Sequence, residues 1–261
     1  MPAVVMLKQV VVIAHLSLLE ARRTHLPGTV IGIVVASLLL AECAAGLAIT
    51  DSHSYRLGIY AASSRLLMVV CTVLFVATSV VRELADRVID LTLSRPLSRS
   101  TWLLGRLTGF GAVVCCLALA AAAPLAFTSS PLAALVWGLS LAAELVLVAA
   151  ATLSCAVALT QVVTSVLAVA AFYLLSRSID AIVLMSRGPT VDAGAWSSIF
   201  IEHAVTGLAM LLPALSDYTQ FAWLSDAATG LAALPALSVQ TVIYCLLLAA
   251  VGLFDFIRRE L

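Results

Sequence analysis

The sequence predicts an all-α, polytopic membrane protein with six transmembrane helices. Of its 261 residues, 63% are hydrophobic and only 11% are charged, whereas a soluble globular domain carries about 25% charged residues. The mean hydropathy is +1.14, and several apolar runs approach the length of about 20 residues that a helix needs to cross a bilayer. Backbone polar groups inside a bilayer must be satisfied within the segment, so these runs are expected to be helical.

Composition and motifs argue against several other classes of protein. The formal net charge is zero, so the chain lacks the basic surface of a nucleic-acid-binding protein. The sequence contains no Walker-type phosphate loop, which argues against ATP binding by that route. Its four histidines lie in separate segments and its six cysteines form no CxxC pair, so no metal site is predicted. No intramembrane protease motif occurs, and we therefore expect no catalytic residue and no cofactor in this chain.

Six spans are predicted, and an interfacial helix precedes them. The apolar stretch 3–19 is interrupted by Lys8 and His15, a pattern typical of a helix that lies in the membrane interface. Arg65, near the outer end of the second span, is expected to snorkel to the surface. The reversal between the fourth and fifth spans is expected within residues 152–164. The predicted spans are residues 26–49, 59–81, 107–127, 132–154, 157–176 and 234–257.

The distribution of basic residues predicts the orientation, because cytoplasmic loops of membrane proteins are enriched in Lys and Arg. With six spans, ten of the fourteen Lys and Arg side chains fall on one side. A full crossing at residues 199–215 would move Arg258 and Arg259 to the other side. We therefore predict a re-entrant or interfacial segment at 199–215, before the last span, with both termini cytoplasmic.

A charged stretch, residues 82–106, separates the second and third spans. Leu84, Val88 and Leu91 are spaced as one face of a helix, and the acidic and basic residues lie on the opposite face. Pro96 is expected to end this helix, and Ser98 can cap the next one. We predict a cytoplasmic amphipathic helix at 82–99 that docks a partner; the alternative is an ordinary charged loop. The candidate docking residues are Glu83, Asp86, Arg87, Asp90, Ser94, Arg95, Pro96, Ser98 and Arg99.

Four further side chains are candidates for a polar pathway through the membrane. Glu144 lies in the middle of an apolar run, where a charge costs about 2.5–3.5 kcal/mol, so it either lines a pathway or makes a hydrogen-bonded packing contact. Glu42 lies deep in the first span but within reach of the outer interface. Glu202 and His203, in the segment 199–215, either gate an exit or mark a water-exposed helix end.

The charged stretch resembles the corresponding region of type-2 ABC exporter permeases. The resemblance rests on Glu83, the Leu-Thr-Leu-Ser-Arg-Pro-Leu-Ser-Arg segment at 91–99, and the Leu-Leu-Gly-Arg entry into the third span at 103–106. The branch most similar is the one linked to maturation of multicopper enzymes such as nitrous oxide reductase. Arg106 replaces the lysine that is usual there. The six-span layout is also similar.

This resemblance implies a permease subunit in a bacterial inner membrane. It implies a homodimer or heterodimer of permeases in the lipid bilayer, with two separate ATPase subunits that bind ATP and magnesium. Residues 83–99 would form the main coupling helix, and residues 157–161 a second contact. Either a substrate is exported, or the movement acts mechanically on a periplasmic partner.

Two other functions remain open from the residues alone. A secondary transporter would work without an ATPase, and it would be expected to carry broken spans and several intramembrane charges. A membrane scaffold or assembly factor would need only packed apolar helices. The abundance of Ala, Leu and Val describes helix packing and does not identify a substrate.

Overall fold

The protein is described by a computed structural model that covers residues 2–47, 51–86, 99–186 and 196–258. Within these ranges it is helical, and no strand is present. The helices are α1 Pro2–Arg23, α2 Leu26–Ala45, α3 Ser52–Ala85, α4 Arg99–Thr128, α5 Pro131–Leu159, α6 Val162–Ser186, α7 Trp196–Leu211, α8 Ala222–Ser225 and α9 Ala227–Arg258, with a 3-10 turn at Leu215–Asp217.

Six of these helices are long and apolar enough to cross a membrane, which confirms the predicted number of spans. They are α2, α3, α4, α5, α6 and α9. Helix α1 precedes the first membrane-length helix, and α7 overlaps the segment 199–215. Their placement in or at the membrane interface stays a prediction.

The second span begins earlier than the sequence suggested, at Ser52 instead of residue 59. Asp51 caps this end, because its carboxylate accepts a hydrogen bond from the Ser54 amide at 3.4 Å. About two turns further on, Tyr60 is buried and its hydroxyl donates to the Ala121 carbonyl oxygen at 2.7 Å. Residues that read as a polar loop are therefore the first turns of α3.

The helices that carry the fourth and fifth predicted spans, Pro131–Leu159 and Val162–Ser186, are longer than those spans, and the second of them begins later than residue 157. The reversal lies at Thr160 and Gln161, within the expected range. Thr160 ends α5 in the left-handed conformation, with φ of 53°. Thr152 and Ser154 did not interrupt the helix, because their hydroxyls donate to carbonyl oxygens inside the bundle. Thr152 donates to Val148 at 2.7 Å, and Ser154 to Leu248 of α9 at 2.8 Å.

Helix α5 is the centre of the bundle. It packs against α3, α4, α6 and α9. In its most apolar stretch of 18 residues, 72% is buried, compared with 17% in the corresponding stretches of α2 and α9. Its largest side chain, Trp137, is fully buried. A buried charge on α5 therefore lies among protein side chains and away from lipid.

The two ends of the bundle are distinguished by their turns. We call the end with the α2–α3 and α4–α5 turns the Ser130 end, after the residue that caps α5. The opposite end carries the C-terminus of α3 and the start of α4, and we call it the Arg106 end. Helix α3 has 34 residues, or about 51 Å at 1.5 Å per residue, which exceeds the hydrocarbon core of about 30 Å.

Helix α1 lies in close contact with α4 at two glycines spaced by four. A Cβ on Gly105 would lie 2.8 Å from Cβ of Ile13, and one on Gly109 would lie 2.7 Å from Cβ of Ser17. Small residues at this spacing let helix backbones approach closely in membranes. Since the contacts advance by four residues on both helices, α1 and α4 run in the same direction there.

Substitution of Gly109 with alanine is expected to destabilise the α1–α4 contact. The new Cβ would also lie 2.9 Å from Cα of Ala14, so the backbones must separate, at a cost of about 1–3 kcal/mol. The gain in helix propensity offsets at most about 1 kcal/mol. We expect Gly109→Ala to lower the melting temperature in detergent by about 2–6 °C.

Gly111 of the same helix is the matched control, because a Cβ there meets no atom within 4 Å. Gly111→Ala should leave the melting temperature unchanged or raise it slightly. Equal melting temperatures for the two variants would contradict the close contact at Gly109.

Candidate functional site

A buried charged cluster joins three helices at the Arg106 end of the bundle. We call it the Arg106 cluster, and its members are Ser17 and Glu20 of α1, Ser79 and Glu83 of α3, and Arg106 of α4. Nε of Arg106 donates to Oε2 of Glu83 at 2.8 Å, and a second nitrogen also reaches that oxygen. Nη1 donates to Oε2 of Glu20 and to Oγ of Ser17, each at 2.9 Å.

The guanidinium nitrogens of Arg106 bind two different helices. Nη1 binds α1, whereas Nε and Nη2 bind α3. Nη2 also donates to Oγ of Ser79 at 3.4 Å, and Ser79 in turn donates to Glu20. The ring of Phe110, one turn along α4, lies 5.1 Å from the guanidinium carbon and adds a cation–π contact. Only a planar group with several donors can bridge two carboxylates and two hydroxyls in this way.

Burial makes this cluster energetically important. The Arg106 side chain is 6% exposed, against 19% for Glu83 and 34% for Glu20. A buried ion pair stabilises less than its Coulomb attraction suggests, but loss of one partner leaves an uncompensated charge in a poorly solvated place. The cluster therefore holds α1, α3 and α4 together as one unit.

The structure pairs the predicted docking residue Glu83 with Arg106. Its carboxylate links α3 to α4, and its side chain is 19% exposed. A contact between Glu83 and a docked partner stays a prediction. Residues 82–85 continue α3 without a break, so the predicted helix 82–99 does not start at Arg82. Asp86 follows α3 and is exposed, and Arg99 is the first residue of α4.

The remaining predicted docking residues lie outside the described part of the chain. They are Arg87, Asp90, Ser94, Arg95, Pro96 and Ser98. The helices on both sides of this segment are described, because α3 ends at Ala85 and α4 begins at Arg99. The Glu83–Arg106 ion pair lies close to both ends of this segment.

A second buried cluster surrounds Glu144, towards the middle of the bundle. We call it the Glu144 cluster, and its members are Arg65 of α3, Ser140 and Glu144 of α5, Tyr173 of α6, and Thr219. Glu144 is fully buried. Its two carboxylate oxygens accept hydrogen bonds from the hydroxyls of Tyr173 and Thr219, at 2.8 and 3.0 Å.

Thr219 belongs to a largely non-helical segment that lies in the bundle. Its Oγ1 accepts a hydrogen bond from Arg65 at 3.2 Å, and its amide donates to Oγ of Ser140 at 3.0 Å. Its φ is 52°, a left-handed conformation that costs energy for a β-branched residue and needs surrounding contacts to persist. Arg65, Ser140 and Glu144 thus bind Thr219. Tyr173 binds Glu144 in turn, so residues from three helices hold this threonine in place.

We call residues 212–225 the inserted segment. Leu215 and Tyr218 of this segment are fully buried, and Arg177 of α6 donates to both of their carbonyl oxygens, to that of Tyr218 at 3.0 Å. The Tyr218 hydroxyl bonds to Thr241 of α9 at 2.9 Å. Non-helical backbone within a membrane bundle requires such partners for its polar groups.

The charge around the inserted segment is mixed. Arg65 and Arg177 bind the segment directly, and the Glu144 carboxylate accepts a hydrogen bond from Thr219. At the edge of the segment, Ser216 donates to the Asp180 carboxylate. Burial, together with the nearby Asp180, raises the pKa of Asp217, while Arg177 acts in the opposite direction.

The other predicted pathway residues are not part of the Glu144 cluster. Glu42 is 62% exposed and pairs with Arg56 at 3.2 Å; its reach to the outer interface stays a prediction. His203 is exposed on α7, and the side chain of Glu202 is not among those that the structure describes. Glu144 is thus the one pathway candidate that the described residues place in a buried polar cluster.

Sequence reasoning missed several partners in the two clusters. Arg65 was expected to snorkel to the surface, but it binds Thr219. Glu20, which binds Arg106, was not among the candidate residues. An unpaired charge in or next to an apolar run was the available signal, but nothing in the sequence indicated which helix supplied the partner.

No known protein-family model matches this sequence, and no curated protein is significantly similar to it.

Replacement of Arg106 tests the bridging role of its guanidinium. Arg106→Gln leaves Glu20 and Glu83 without their cation, and we expect a loss of about 2–4 kcal/mol, reduced from the fully buried value by the exposure of Glu20. Arg106→Lys keeps the charge but cannot span both carboxylates, so its loss should be intermediate. Thermal unfolding in detergent measures both, and equal stability of wild type and Arg106→Gln would contradict the role.

Replacement of Glu144 tests whether it holds the inserted segment. Glu144→Ala leaves the Tyr173 and Thr219 hydroxyls without their acceptor, and each lost buried hydrogen bond costs about 1–3 kcal/mol. Amides of residues 212–225 should then exchange with deuterium about tenfold faster or more, as read by mass spectrometry. Glu42→Ala is the control and should leave their exchange unchanged. Unchanged exchange in Glu144→Ala would show that the carboxylate does not hold the segment.

Proposed function

We propose that this chain is the membrane-spanning permease subunit of a type-2 ATP-binding cassette exporter. Its six membrane-length helices are consistent with the layout of that class. The observation that carries the proposal is the pair of helices that flank the Leu-Ser-Arg-Pro-Leu-Ser-Arg sequence at 93–99. A buried ion pair fastens these two long helices together.

This arrangement supports a coupling role on mechanical grounds. A force applied to residues 87–98 acts on α3 and α4 at once, because Glu83 and Arg106 prevent them from separating. The same guanidinium binds Glu20, so α1 must follow. Since α3 extends about 51 Å along its axis, displacement at the Arg106 end would be carried through the membrane to the Ser130 end.

The proposal assigns the partners as follows. Two separate ATPase subunits bind ATP and magnesium and dock on the cytoplasmic Arg106 end, and a second permease, identical or related, completes the transporter in the bacterial inner membrane. The docking residues are Asp86, Arg87, Asp90, Ser94, Arg95, Pro96, Ser98 and Arg99. Glu83, in this account, transmits movement between helices.

The Glu144 cluster would respond to the movement that begins at the Arg106 end. The inserted segment lies against α3, α5, α6 and α9. Tilting of α3 would pull Arg65 away from Thr219 and loosen the segment. Access from the Ser130 end would thereby depend on the state of the Arg106 end, whether the movement exports a substrate or acts on a periplasmic partner.

A second candidate function is a secondary transporter that works without an ATPase. It is favoured by one observation, a fully buried carboxylate beside non-helical backbone, which is typical of coupling-ion sites in such proteins. In that case Glu144 would be the coupling group, and residues 82–99 would be an ordinary loop.

Co-purification distinguishes the two functions. The native complex, extracted in mild detergent, should contain a P-loop ATPase in stoichiometric amount, as judged by mass spectrometry. Arg95→Gln should reduce the recovered ATPase about tenfold or more, because truncation of a buried interface charge costs about 2–5 kcal/mol. Arg56→Gln, which removes a charge at the opposite end, is the control. A chain that purifies alone under all detergent conditions would overturn the permease proposal and favour the secondary transporter.

A further inference from the structure

We infer that the protein has a binding site for an anionic phospholipid between α1, α2 and α4. A groove of about 420 Å³ opens there, a volume within the usual range for small-molecule sites. The inference requires only that the chain lies in a membrane and does not depend on the proposed transport function.

The groove fits an acyl chain because its lining is apolar apart from Arg22. Its floor is made of buried side chains, among them Val30 of α2 and Val113 and Leu117 of α4. Its rim is made of exposed ones, among them Leu18 and Ile31. Since α2 and α4 are membrane-length helices, the groove opens towards lipid tails, which makes a tail its natural occupant.

The mouth of the groove fits an anionic headgroup. Arg22 lines the groove, four positions before Leu26, where the first membrane-length helix begins. Its side chain is exposed, and among the described residues it has no ion-pair partner. A guanidinium at this depth is well placed to bind a lipid phosphate.

The Arg106 cluster makes the charge at this mouth uncompensated. Glu20 is the nearest acidic residue in sequence to Arg22, and it points into the protein, where Arg106 and Ser79 bind its carboxylate. The adjacent Arg23 is exposed as well. The elbow between α1 and α2 therefore presents two positive charges above an apolar groove, which is complementary to an anionic headgroup with a tail below it.

Lipid titration of the full-length protein by native mass spectrometry tests this inference. The probes are phosphatidylglycerol and phosphatidylcholine with identical acyl chains. One phosphatidylglycerol per chain should be retained in preference to phosphatidylcholine. Arg22→Gln should weaken that binding about fivefold, as expected for one basic side chain near an anionic surface. Arg258→Gln, which removes an exposed arginine at the other end of the chain, should not.

The apolar part of the site is tested by filling the groove. Ala120 lines it and is exposed, so Ala120→Phe should abolish retention of the lipid, while Ala112→Phe, at an exposed position of α4 outside the groove, should not. Size-exclusion chromatography reports whether each variant is folded. If Ala120→Phe does not fold, the Arg22→Gln variant still tests the inference.

Three results would overturn the inference. Equal retention of the two lipids would remove the role of the headgroup charge. An equal effect of Arg22→Gln and Arg258→Gln would show that lipid binding depends on the overall charge of the protein and not on Arg22. Absence of bound lipid, with a dimer that Ala120→Phe converts to monomers, would assign the groove to a second copy of the chain.

Discussion

One guanidinium sets the geometry of the Arg106 end of this protein. Arg106 binds carboxylates from two different helices, so neither α1 nor α3 can move relative to α4 without exposing a buried charge. The two glycines on either side of it in sequence bring α1 close enough for Glu20 to reach. Close packing and charge pairing thus depend on each other, and each would be costly without the other. The cluster also leaves Arg22 free to face the groove at the α1–α2 elbow.

A second constraint acts on the other side of the bundle, where the backbone leaves the helical conformation. The inserted segment has polar backbone groups that a membrane environment would not satisfy. Arg177 and Ser140 supply partners for these backbone groups from two helices, and Thr241 of a third helix binds the Tyr218 hydroxyl. Glu144 organises this region because it fixes Thr219 in a strained conformation. The segment is held by polar contacts from α3, α5, α6 and α9, whereas the Arg106 cluster joins α1, α3 and α4.

The sequence predicted the helical class and the number of spans, because hydrophobic runs of membrane length leave few alternatives. It did not predict where α3 begins, since Ser52 to Arg56 are polar and the cap on Asp51 was not recognised. It identified Glu144 from the cost of a buried charge, but not Thr219, which is distant in sequence and unremarkable in composition. It singled out Glu83 from a helical charge pattern, but such a pattern does not show that this side chain pairs with Arg106. Pairings between distant segments, such as Glu20 with Arg106, depend on packing that a single sequence does not reveal.

The central claim is that Glu83 and Arg106 act as one unit that fastens α3 to α4. A double-mutant cycle with Glu83→Gln and Arg106→Met, measured by reversible unfolding in mixed micelles, tests it most directly. We expect a coupling free energy of about 1–3 kcal/mol, as for contacting residues in one charged network. Free-energy changes that add within about 0.3–0.5 kcal/mol would show that the two side chains act independently, and they would contradict the account of the Arg106 end.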